Sequence, residues 1–461
     1  LLLDTGNMHN YFSLLEIMVC YYGTWATWRT GLGKFDVDHI DVSLCTHLIY
    51  TFVGIDDKGT VISLDPYLDF PDDWGRDNFG KFNALKEKNP KLKTLLAVGG
   101  WNEGSAKYSE MVADPKLREN FITSALDMVR TYGFDGLDLD WEYPNQRDSV
   151  HGKADVDNFS QLVKELREAF DPYGLLLTAA VSAVKKMASQ SYDIPVISKY
   201  LDIINIMTYD MYGDWDPARK TVLNILCLTD IGCTCCFISG CPPEKLALGL
   251  PLYGRTFTLS NAKDYSVRAA ASGAGIGGPY TDTPGFIGYN EFCSKLQSES
   301  WDIYFDDLAR VPYAVQDKYW VSFDTPESLV EKAKFGLSLD IAGLMVWSIE
   351  TDDFHGNCLG ESFPLLRALN RALGSSAVNP NTTTATPTST SPSSTYTNPA
   401  TTTTQSSTSS SCKSFFFYII PNLYIPLLGT FRCRKDIVQI GVQRALKKLC
   451  VTLNHALRWK T

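Results

Sequence analysis

The sequence is short of positive charge. Its 461 residues include 42 Lys and Arg against 52 Asp and Glu, which gives a formal net charge of −10. A protein that binds nucleic acid needs a basic stripe to neutralise phosphates, and the sequence offers none. We therefore expect no nucleic-acid partner.

The cysteines lack the spacing of a zinc site. Twelve cysteines are present, and five of them crowd between residues 227 and 241. The two C-x-x-C pairs of a structural zinc site are missing from this cluster. We expect neither a metal nor an organic cofactor.

An uninterrupted apolar run that could cross a membrane is also missing. The most apolar segment, SFFFYIIPNLYIPLLGTF, contains Pro421, Asn422 and Pro426, which argue against a membrane span. It lies in a tail, residues 412–461, that matches no domain type and has two interpretations, a translated intron or a genuine anchor. Residues 1–16 have neither the basic start nor the continuous apolar stretch of a signal peptide, so we treat them as a poorly defined N-terminal segment.

A linker of low complexity precedes the tail. Residues 375–411 consist almost entirely of Ser, Thr, Pro, Asn and Ala, a composition typical of O-glycosylated stalks in secreted proteins. Glycosylation triplets at Asn158 and Asn381 agree with this location. We predict an extracellular, secreted protein, although the chain shows no clear signal peptide.

Before the linker, short apolar runs alternate with amphipathic helical patterns. The clearest helix is ADVDNFSQLVKELREAF, where apolar residues recur at steps of three and four. Eight apolar runs alternating with helices predict an α/β fold, a (β/α)8 TIM barrel, forming one catalytic domain over residues 17–374. The runs predicted as strands are 17–22, 46–54, 93–100, 134–142, 175–182, 201–210, 246–254 and 341–349.

The gap between the seventh and eighth runs is longer than one helix requires. Residues from about 258 to 320 are rich in glycine and aromatic residues and contain short strand-like pieces. We predict an α+β insertion between strands 7 and 8 that forms one wall of a groove on the barrel rim.

Three carboxylates alternate along the fourth run. In FDGLDLDWEYP, Asp138, Asp140 and Glu142 occupy every second position. Alternate side chains of a barrel strand point to the interior, so the acids line it, while Leu139 and Trp141 face the helices. Carboxylates in a low-dielectric interior cannot all stay ionised cheaply, so at least one pKa should be raised. Glu142 is nearest the C-terminal rim, where barrel active sites form.

Two other interpretations of this row remain open: structural, salt-bridged acids, and ligands of a divalent metal. An EF-hand calcium loop needs glycine at its sixth position, where this sequence has Tyr143, and it lies outside strands. A purely structural row of acids flanked by Trp and Leu is the weakest interpretation. An active site is favoured.

The spacing of the acids restricts the chemistry. Residues two apart on a strand have Cα atoms about 6.6 Å apart and lie on the same side of any bound chain. Asp140 and Glu142 therefore cannot flank a glycosidic bond as acid and nucleophile. If Glu142 protonates the glycosidic oxygen, the nucleophile must be water or the substrate itself, and a sugar with a 2-acetamido group carries its own nucleophile.

With these residues in view, FDGLDLDWEYP resembles the D-G-x-D-x-D-W-E signature of family 18 glycoside hydrolases, the chitinases and chitinase-like lectins. Together the similar stretches cover about residues 17–372 and most resemble secreted arthropod-type chitinases. The other stretches that are similar to family blocks, in the family's order, are CYYGTWATWRTGLGKFDVDHIDVSLCTHLIYTF, LLAVGGWN, INIMTYDMYGDWD, GLPLYGRTF and GLMVWSIETDDFHG.

The resemblance implies a role for each matching position. Glu142 would donate a proton to the leaving sugar, Asp140 would hydrogen-bond the acetamido N–H, and Asp138 would share a proton with Asp140. Tyr209 would donate its hydroxyl to the acetamido oxygen as that oxygen attacks the anomeric carbon. Trp347 would form the floor under the distorted sugar.

Further contacts with the sugar chain are implied in the same groove. Tyr22 and Phe52 would wall the acetamido pocket, although buried aromatic residues are more often simple core. Tyr253 and Arg255 would hold neighbouring sugars, and three tryptophans in loops would stack on sugar faces. The implied substrate-binding set is Tyr22, Trp25, Phe52, Gly99, Gly100, Trp101, Met207, Asp210, Trp215, Tyr253, Arg255 and Trp347.

The resemblance also implies two disulfides, Cys20 to Cys45 and Cys293 to Cys358, which suit an oxidising compartment.

Two regions depart from the family. Residues 217–243 are shorter than the family's segment and lack its helix pattern, so we predict a splicing or gene-model error, or a degenerate copy, that exposes the apolar backs of the sixth and seventh strands. The three cysteines of the tail cannot form the three disulfides of a chitin-binding module, which we expect to be absent.

The sequence thus predicts a secreted, monomeric, endo-acting chitinase that hydrolyses β-1,4 links between N-acetylglucosamine units with retention. Its expected partner is chitin or a chitooligosaccharide. A chitin-binding lectin without activity is the alternative, although lectins of the family usually alter the Glu or a neighbouring Asp, and neither is altered here. A hydrolase of the chitobiose core of glycoproteins is a third hypothesis, which product analysis separates.

Overall fold

The computed structural model describes residues 17–213, 215, 220–221 and 240–376. The predicted N-terminal segment and tail, nearly all of the linker, and most of the segment that departs from the family lie outside the described residues. Among the described residues, no helix has both the length and the apolar character that crossing a membrane requires.

Strands and helices alternate along the chain as the sequence predicts. The described strands, numbered in chain order, are β1 (Ile17–Gly23), β2 (His47–Ile55), β3 (Val61–Ser63), β4 (Lys93–Gly99), β5 (Gly136–Asp140), β6 (Leu176–Ser182), β7 (Ile203–Met207), β8 (Leu246–Pro251), β9 (Tyr253–Leu259), β10 (Ala271–Ala274), β11 (Phe286–Gly288), β12 (Asp302–Asp306), β13 (Val311–Gln316), β14 (Tyr319–Ser322) and β15 (Gly343–Trp347). The described helices are α1 (Pro66–Asp69), α2 (Asn78–Lys88), α3 (Ala106–Ala113), α4 (Pro115–Tyr132), α5 (Ala154–Phe170), α6 (Lys185–Ser191), α7 (Ile194–Tyr200), α8 (Tyr289–Ser298), α9 (Pro326–Leu337) and α10 (Pro364–Ser376).

Eight parallel strands close into the predicted barrel. Neighbours run in the order β1, β15, β8, β7, β6, β5, β4 and β2, and the parallel pairing of β1 with β2 completes the ring. Each of these strands coincides, within a few residues, with one of the eight apolar runs. The fold is therefore the (β/α)8 TIM barrel that the sequence predicts.

Alternation along each strand divides the core into two layers. In β4, Leu95 packs inside the barrel, whereas Leu96 packs between the strands and the outer helices. Burial on both faces explains why these strands read as continuous apolar runs. The buried inner layer consists of Val19, Tyr21, Ile49, Leu95, Ala97, Ala180, Ile203, Tyr209, Ala247, Tyr253 and Met345.

Local signals fix the helix that leads into β5. Asp114 precedes α4, and its carboxylate accepts the backbone N–H of Lys116 at 2.7 Å, while Pro115 occupies the first helical position. The helix ends at Gly133, whose φ of 77° is left-handed and favours glycine. The chain then enters the strand that carries the acids.

The predicted insertion is an antiparallel sheet with one helix. Strands β10, β9, β14, β13 and β12 are neighbours in that order, β11 pairs with β9, and α8 lies between β11 and β12. The sheet begins at Tyr253 and ends at Ser322, slightly outside the predicted bounds.

Both expected disulfides are present. Cys293–Cys358 joins α8 to the segment after β15, and Cys20–Cys45 joins β1 to the turn before β2.

The prediction that the sixth and seventh barrel strands expose their apolar backs is wrong. These strands, β7 and β8, pair in register, with Ile204 opposite Leu246. Ile204 and Leu248 are both buried. On β8, α9 contributes to this burial, because a Cβ on Gly336 of α9 would lie 2.8 Å from Leu248 Cδ2.

A buried ion pair joins Lys332 of α9 to Asp324, two residues before that helix, and gives a test of the fold. Lys332 Nζ lies 2.5 Å from Asp324 Oδ1, and both side chains are almost fully buried. Lys332→Met leaves Asp324 buried without its cation, so we expect the free energy of unfolding to fall by about 3–5 kcal/mol. Adding Asp324→Leu should recover most of that loss. Denaturant titration of the full chain measures both, and a single variant as stable as the wild type contradicts the expectation.

Candidate active site

The acids of β5 lie where alternation predicts. Asp138 and Asp140 point into the barrel and are 0% and 4% exposed, whereas Trp141 packs outside and donates its indole N–H to Ser105 Oγ at 2.6 Å. Strand β5 ends at Asp140, so Glu142 lies two residues beyond it, at the C-terminal rim, partly buried. The row thus runs from the barrel centre to its mouth.

Asp138 is the most thoroughly hydrogen-bonded acid of the row. The Tyr21 hydroxyl donates to its Oδ2 at 2.8 Å, and the Thr178 hydroxyl donates to Oδ1 at 2.5 Å. The Asn205 amide donates to Oδ1 at 3.3 Å and to the Tyr21 hydroxyl at 3.1 Å. Burial raises the pKa of Asp138 to about 6 even though these donors lower it.

Asp140 lies between the other two acids. Burial raises its pKa well above the usual range, and the charges of Glu142 and Asp138 raise it further. Its buried Oδ1 has no hydrogen-bond partner among the described residues. The raised pKa favours the protonated form of Asp140, and the described residues leave its Oδ1 for a ligand.

Glu142 has the pKa of an acid that works near neutrality. Burial raises the pKa of its carboxyl to about 7, and Asp210 raises it as well. A hydrogen bond with Tyr143 and the Arg147 cation act in the opposite direction. A carboxyl that is half protonated near neutral pH at the mouth of a barrel is suited to general acid–base chemistry.

The loop after β7 and the start of β9 bring several predicted residues to the same mouth. The Arg255 guanidinium donates from Nε to Asp210 Oδ1 at 2.8 Å and from a second nitrogen to Oδ2. Its carbon lies 4.8 Å from the centroid of the exposed Trp215 ring and 5.4 Å from that of Tyr253. Tyr209 is buried, and its ring meets that of Tyr253 edge-on, at a centroid distance of 6.3 Å.

Aromatic rings form a second wall. Trp347, at the end of β15, is 5.8 Å from Phe52 and 6.1 Å from Trp25 between ring centroids. Trp25 stacks on Phe52 at 6.2 Å and is 42% exposed. Met207 and Phe52 both border the inner barrel layer. These predicted residues are therefore brought together around the acids.

Two glycines, Gly99 and Gly100, let the loop after β4 approach the acids closely. Gly99 has φ +116°, and a Cβ there would lie 2.2 Å from the Asp140 carbonyl oxygen. Gly100 has φ +85°, and a Cβ there would lie 2.6 Å from the Phe52 ring. A side chain at either position would push the backbone away from β5. The exposed Trp101 follows directly on this loop.

Tyr22 is the predicted site residue that the structure does not bring to the site, and its assignment to the acetamido pocket is wrong. Its side chain is fully buried outside the barrel, with its ring centroid 5.7 Å from Phe35 and 6.0 Å from Phe82. The neighbouring Tyr21 points inward to Asp138 instead. One step along a strand exchanges the two faces, which is the physical reason for the error.

Sequence reasoning missed three residues that contact the acids or their neighbours. Tyr21 could have been found by extending the alternation along β1, because Val19 and Tyr21 share the inner face. Thr178 and Asn205 are polar residues within apolar strands, which is itself a signal of a buried polar contact.

Among the described residues, the one set with metal-like spacing is Cys293, Asp353 and Cys358, but both cysteines are consumed by their disulfide. A disulfide sulfur is not the thiolate that binds metal ions.

Comparison with known proteins accounts for this arrangement. The sequence pattern described as Glycosyl hydrolases family 18 matches residues 17–352. The chain belongs to glycosyl hydrolases family 18. It is a glycoside hydrolase, and the family resemblance seen in the sequence is confirmed.

Similar proteins include chitinases and a protein described as a pseudo-chitinase. Probable chitinase 2 of Drosophila melanogaster is 41% identical over 405 residues, which cover 80% of this chain and 81% of that protein. The structure of the Group IV chitinase of Ostrinia furnacalis in complex with allosamidin is 54% identical, with a TM-score of 0.75, and the match covers 78% of this chain and 99% of that one. Human YKL-39, described as a pseudo-chitinase with retained chitooligosaccharide binding, is 36% identical, with a TM-score of 0.70. The match covers 78% of this chain and 100% of the YKL-39 chain.

The two adjacent tyrosines of β1 provide a matched pair of variants. Tyr21→Phe removes a donor from Asp138, which raises the pKa of that carboxyl further, and we expect kcat on a chitooligosaccharide to fall about tenfold. Tyr22→Phe makes the same chemical change but removes a contact with Thr27 Oγ1, at 3.3 Å, in the outer core. It should leave kcat unchanged. Equal losses in the two variants contradict the assignment of Tyr21 to the site.

Proposed function

We propose that this chain is a secreted, endo-acting chitinase that cleaves β-1,4 links between N-acetylglucosamine units with retention of configuration. The observation that carries the proposal is the graded row of acids: a hydrogen-bonded Asp138, an Asp140 with one oxygen left over, and a Glu142 at the mouth with a pKa near neutrality. The three acids differ in their hydrogen bonds and in their pKa values, and these differences suit each acid to a different role in catalysis.

Glu142 protonates the oxygen of the leaving sugar. Its pKa of about 7 leaves a substantial protonated fraction at neutral pH, and its position at the rim exposes it to a chain lying across the barrel. After the first sugar leaves, the same carboxylate takes a proton from the incoming water. One residue therefore serves as acid and then as base.

The nucleophile is the acetamido oxygen of the substrate. Asp140 lies two strand positions from Glu142 and on the same side of the bound chain, so it cannot attack from the opposite face. Asp140 Oδ1, which has no hydrogen-bond partner in the described part of the chain, accepts the acetamido N–H, which orients the carbonyl oxygen toward the anomeric carbon. Tyr209 donates its hydroxyl to that oxygen, and Asp138 shares the proton of Asp140.

Aromatic and charged side chains hold the sugars on either side of the cleaved bond. Trp347 supplies the apolar floor, with Phe52 and Trp25 beside it. The Asp210–Arg255 pair supplies polar contacts with sugar hydroxyls, with the Trp215 ring stacked on its guanidinium. The proposed partner is thus chitin or a chitooligosaccharide, bound by a monomer.

Secretion is supported by composition and by the disulfides. The Ser- and Thr-rich linker is typical of secreted glycoproteins, and two disulfides join distant parts of the barrel domain. The proposed domain organisation is one catalytic domain over residues 17–374, followed by the linker and a tail of unknown nature.

An inactive, sugar-binding lectin is the second candidate. The similarity to the human pseudo-chitinase, at 36% identity, is the observation in its favour, although the Group IV chitinase is more similar, at 54% identity. The presence of Glu142 beside Asp138 and Asp140 argues against it. Activity alone separates the two.

Glu142→Gln tests the proposal. Loss of the acid removes a contribution of about 10²–10⁴ to the rate, so release of a fluorescent aglycone from a chitotriose substrate should fall about 1000-fold. Glu168→Gln is the matched control, because Glu168 lies on the outer face of α5 and is 64% exposed. It should keep full activity.

The outcomes separate the hypotheses. A folded wild type that binds chitooligosaccharide without cleaving it favours the lectin. In an active chain, initial products in the β-anomeric form and internal cleavage of a labelled oligosaccharide support retention and endo action. Cleavage of the glycoprotein chitobiose core in preference to chitin would overturn the proposed substrate.

The pH dependence of the rate follows from the raised pKa values. Glu142 has to be protonated to act as an acid, so we expect kcat/KM to fall as pH rises through about 7, the pKa of its carboxyl. At low pH, protonation of both Asp138 and Asp140 removes the negative charge that receives the acetamido N–H, so the rate should fall there too. A plateau that continues far into alkaline pH contradicts the role of Glu142.

A further inference from the structure

Trp101 stands on a turn whose backbone is anchored while its indole is exposed: the Gly100 N–H donates to the Asp140 carbonyl oxygen at 2.8 Å, and the Ile55 N–H donates to the Glu103 carboxylate at 3.2 Å. Trp101 begins a single 3-10 turn, Trp101–Glu103, between Gly100 at φ +85° and Gly104 at φ +78°. No described atom lies within 4 Å of the point where a Cβ on Gly104 would be, and the Trp101 side chain is 58% exposed. An exposed side chain on an anchored turn keeps its own rotational freedom unless another group packs against it.

Arg147, in the loop after β5, supplies that restraint. Its guanidinium carbon lies 3.9 Å from the centroid of the Trp101 ring, and its Nη1 donates to the Trp101 carbonyl oxygen at 2.6 Å. Its Nε lies 3.5 Å from the carboxylate of Asp148. A single planar group is thus fixed against both the backbone and one face of the indole, which leaves the other face for a ligand.

We propose that Arg147 is a positioning residue for sugar binding, which fixes the Trp101 indole so that its free face receives one sugar ring of a chain bound beside Glu142. The inference rests on the proposed function, because the ligand is the same chain of N-acetylglucosamine units. An indole that is already immobilised loses less side-chain entropy when the sugar stacks on it. Arg147 therefore acts on affinity through Trp101 and needs no contact of its own with the sugar.

The cation also faces Glu142. Burial is the main cause of the raised Glu142 pKa, and the Arg147 charge counteracts it. Removing the charge therefore raises the pKa of the acid, which then stays protonated to higher pH. The titratable groups that surround Glu142 are Asp140, Tyr143, Arg147, Tyr192, Tyr209 and Asp210.

A double-mutant cycle tests whether Arg147 works through Trp101. Binding of an N-acetylglucosamine oligosaccharide is measured by calorimetry on the full chain carrying Glu142→Gln, so that the ligand is not consumed. We expect Arg147→Met to weaken binding about tenfold and Trp101→Ala at least as much. The double variant should bind no more weakly than Trp101→Ala alone. Additive losses, or unchanged affinity in Arg147→Met, overturn the proposal.

Kinetics of the active chain separate stacking from charge. Arg147→Met should raise KM about tenfold and move the alkaline limb of the pH profile upward. Arg147→Lys keeps the charge but loses the planar group that stacks on the indole. It should therefore return the alkaline limb of the pH profile to its wild-type position while KM stays raised. Full rescue of KM by lysine overturns the stacking role.

Another arginine–aromatic pair provides the control. The guanidinium carbon of Arg130, on α4, lies 4.0 Å from the centroid of the Tyr173 ring. Arg130→Met should leave the affinity, KM and the pH profile unchanged. The same loss in this variant overturns the specific role of Arg147. A wild type that binds the oligosaccharide without cleaving it overturns the proposed hydrolysis and leaves the binding cycle decisive, whereas a chain that binds none overturns both.

Discussion

The free-energy cost of burying carboxylates in the centre of a barrel is the constraint on which the rest of this structure depends. Taking a carboxylate out of water costs on the order of several kcal/mol unless protein donors replace the water. Asp138 receives those donors from three other strands, through Tyr21 of β1, Thr178 of β6 and Asn205 of β7. Only a closed barrel brings β1 within reach of β5 and β7, so the site and the fold require one another.

The second acid lacks this support, and the difference between the two is what chemistry needs. Asp140 shares the interior with Asp138, but its Oδ1 has no partner in the described part of the chain. Its pKa is raised by burial first and by the neighbouring acids second. Burial, hydrogen-bond donors and neighbouring charges thus act differently on three similar carboxyls, a property that the proposed mechanism uses to assign one proton donor and one acetamido contact.

Much of the fold and part of the site could be predicted because both depend on local pattern. Apolar runs placed the barrel strands, and alternation along β5 placed Asp138 and Asp140 inside. The assignment of Tyr22 to the pocket is wrong because a motif match does not specify which face of β1 a residue occupies, whereas alternation along β1 selects Tyr21. The contacts of Arg147 with Trp101, by contrast, join loops 46 residues apart, and loop conformation is not encoded in periodicity.

The groove depends on how firmly its walls are joined to the strands that carry the acids. Arg255 belongs to the insertion, yet it pairs with Asp210, which follows barrel strand β7. The insertion is also joined by the Cys293 disulfide to the segment after β15, the strand that ends in Trp347. Both connections lead back to the barrel rim near Glu142. A sugar chain held by these walls is therefore positioned by the barrel itself, which is the preorganisation that proton transfer over a fixed distance requires.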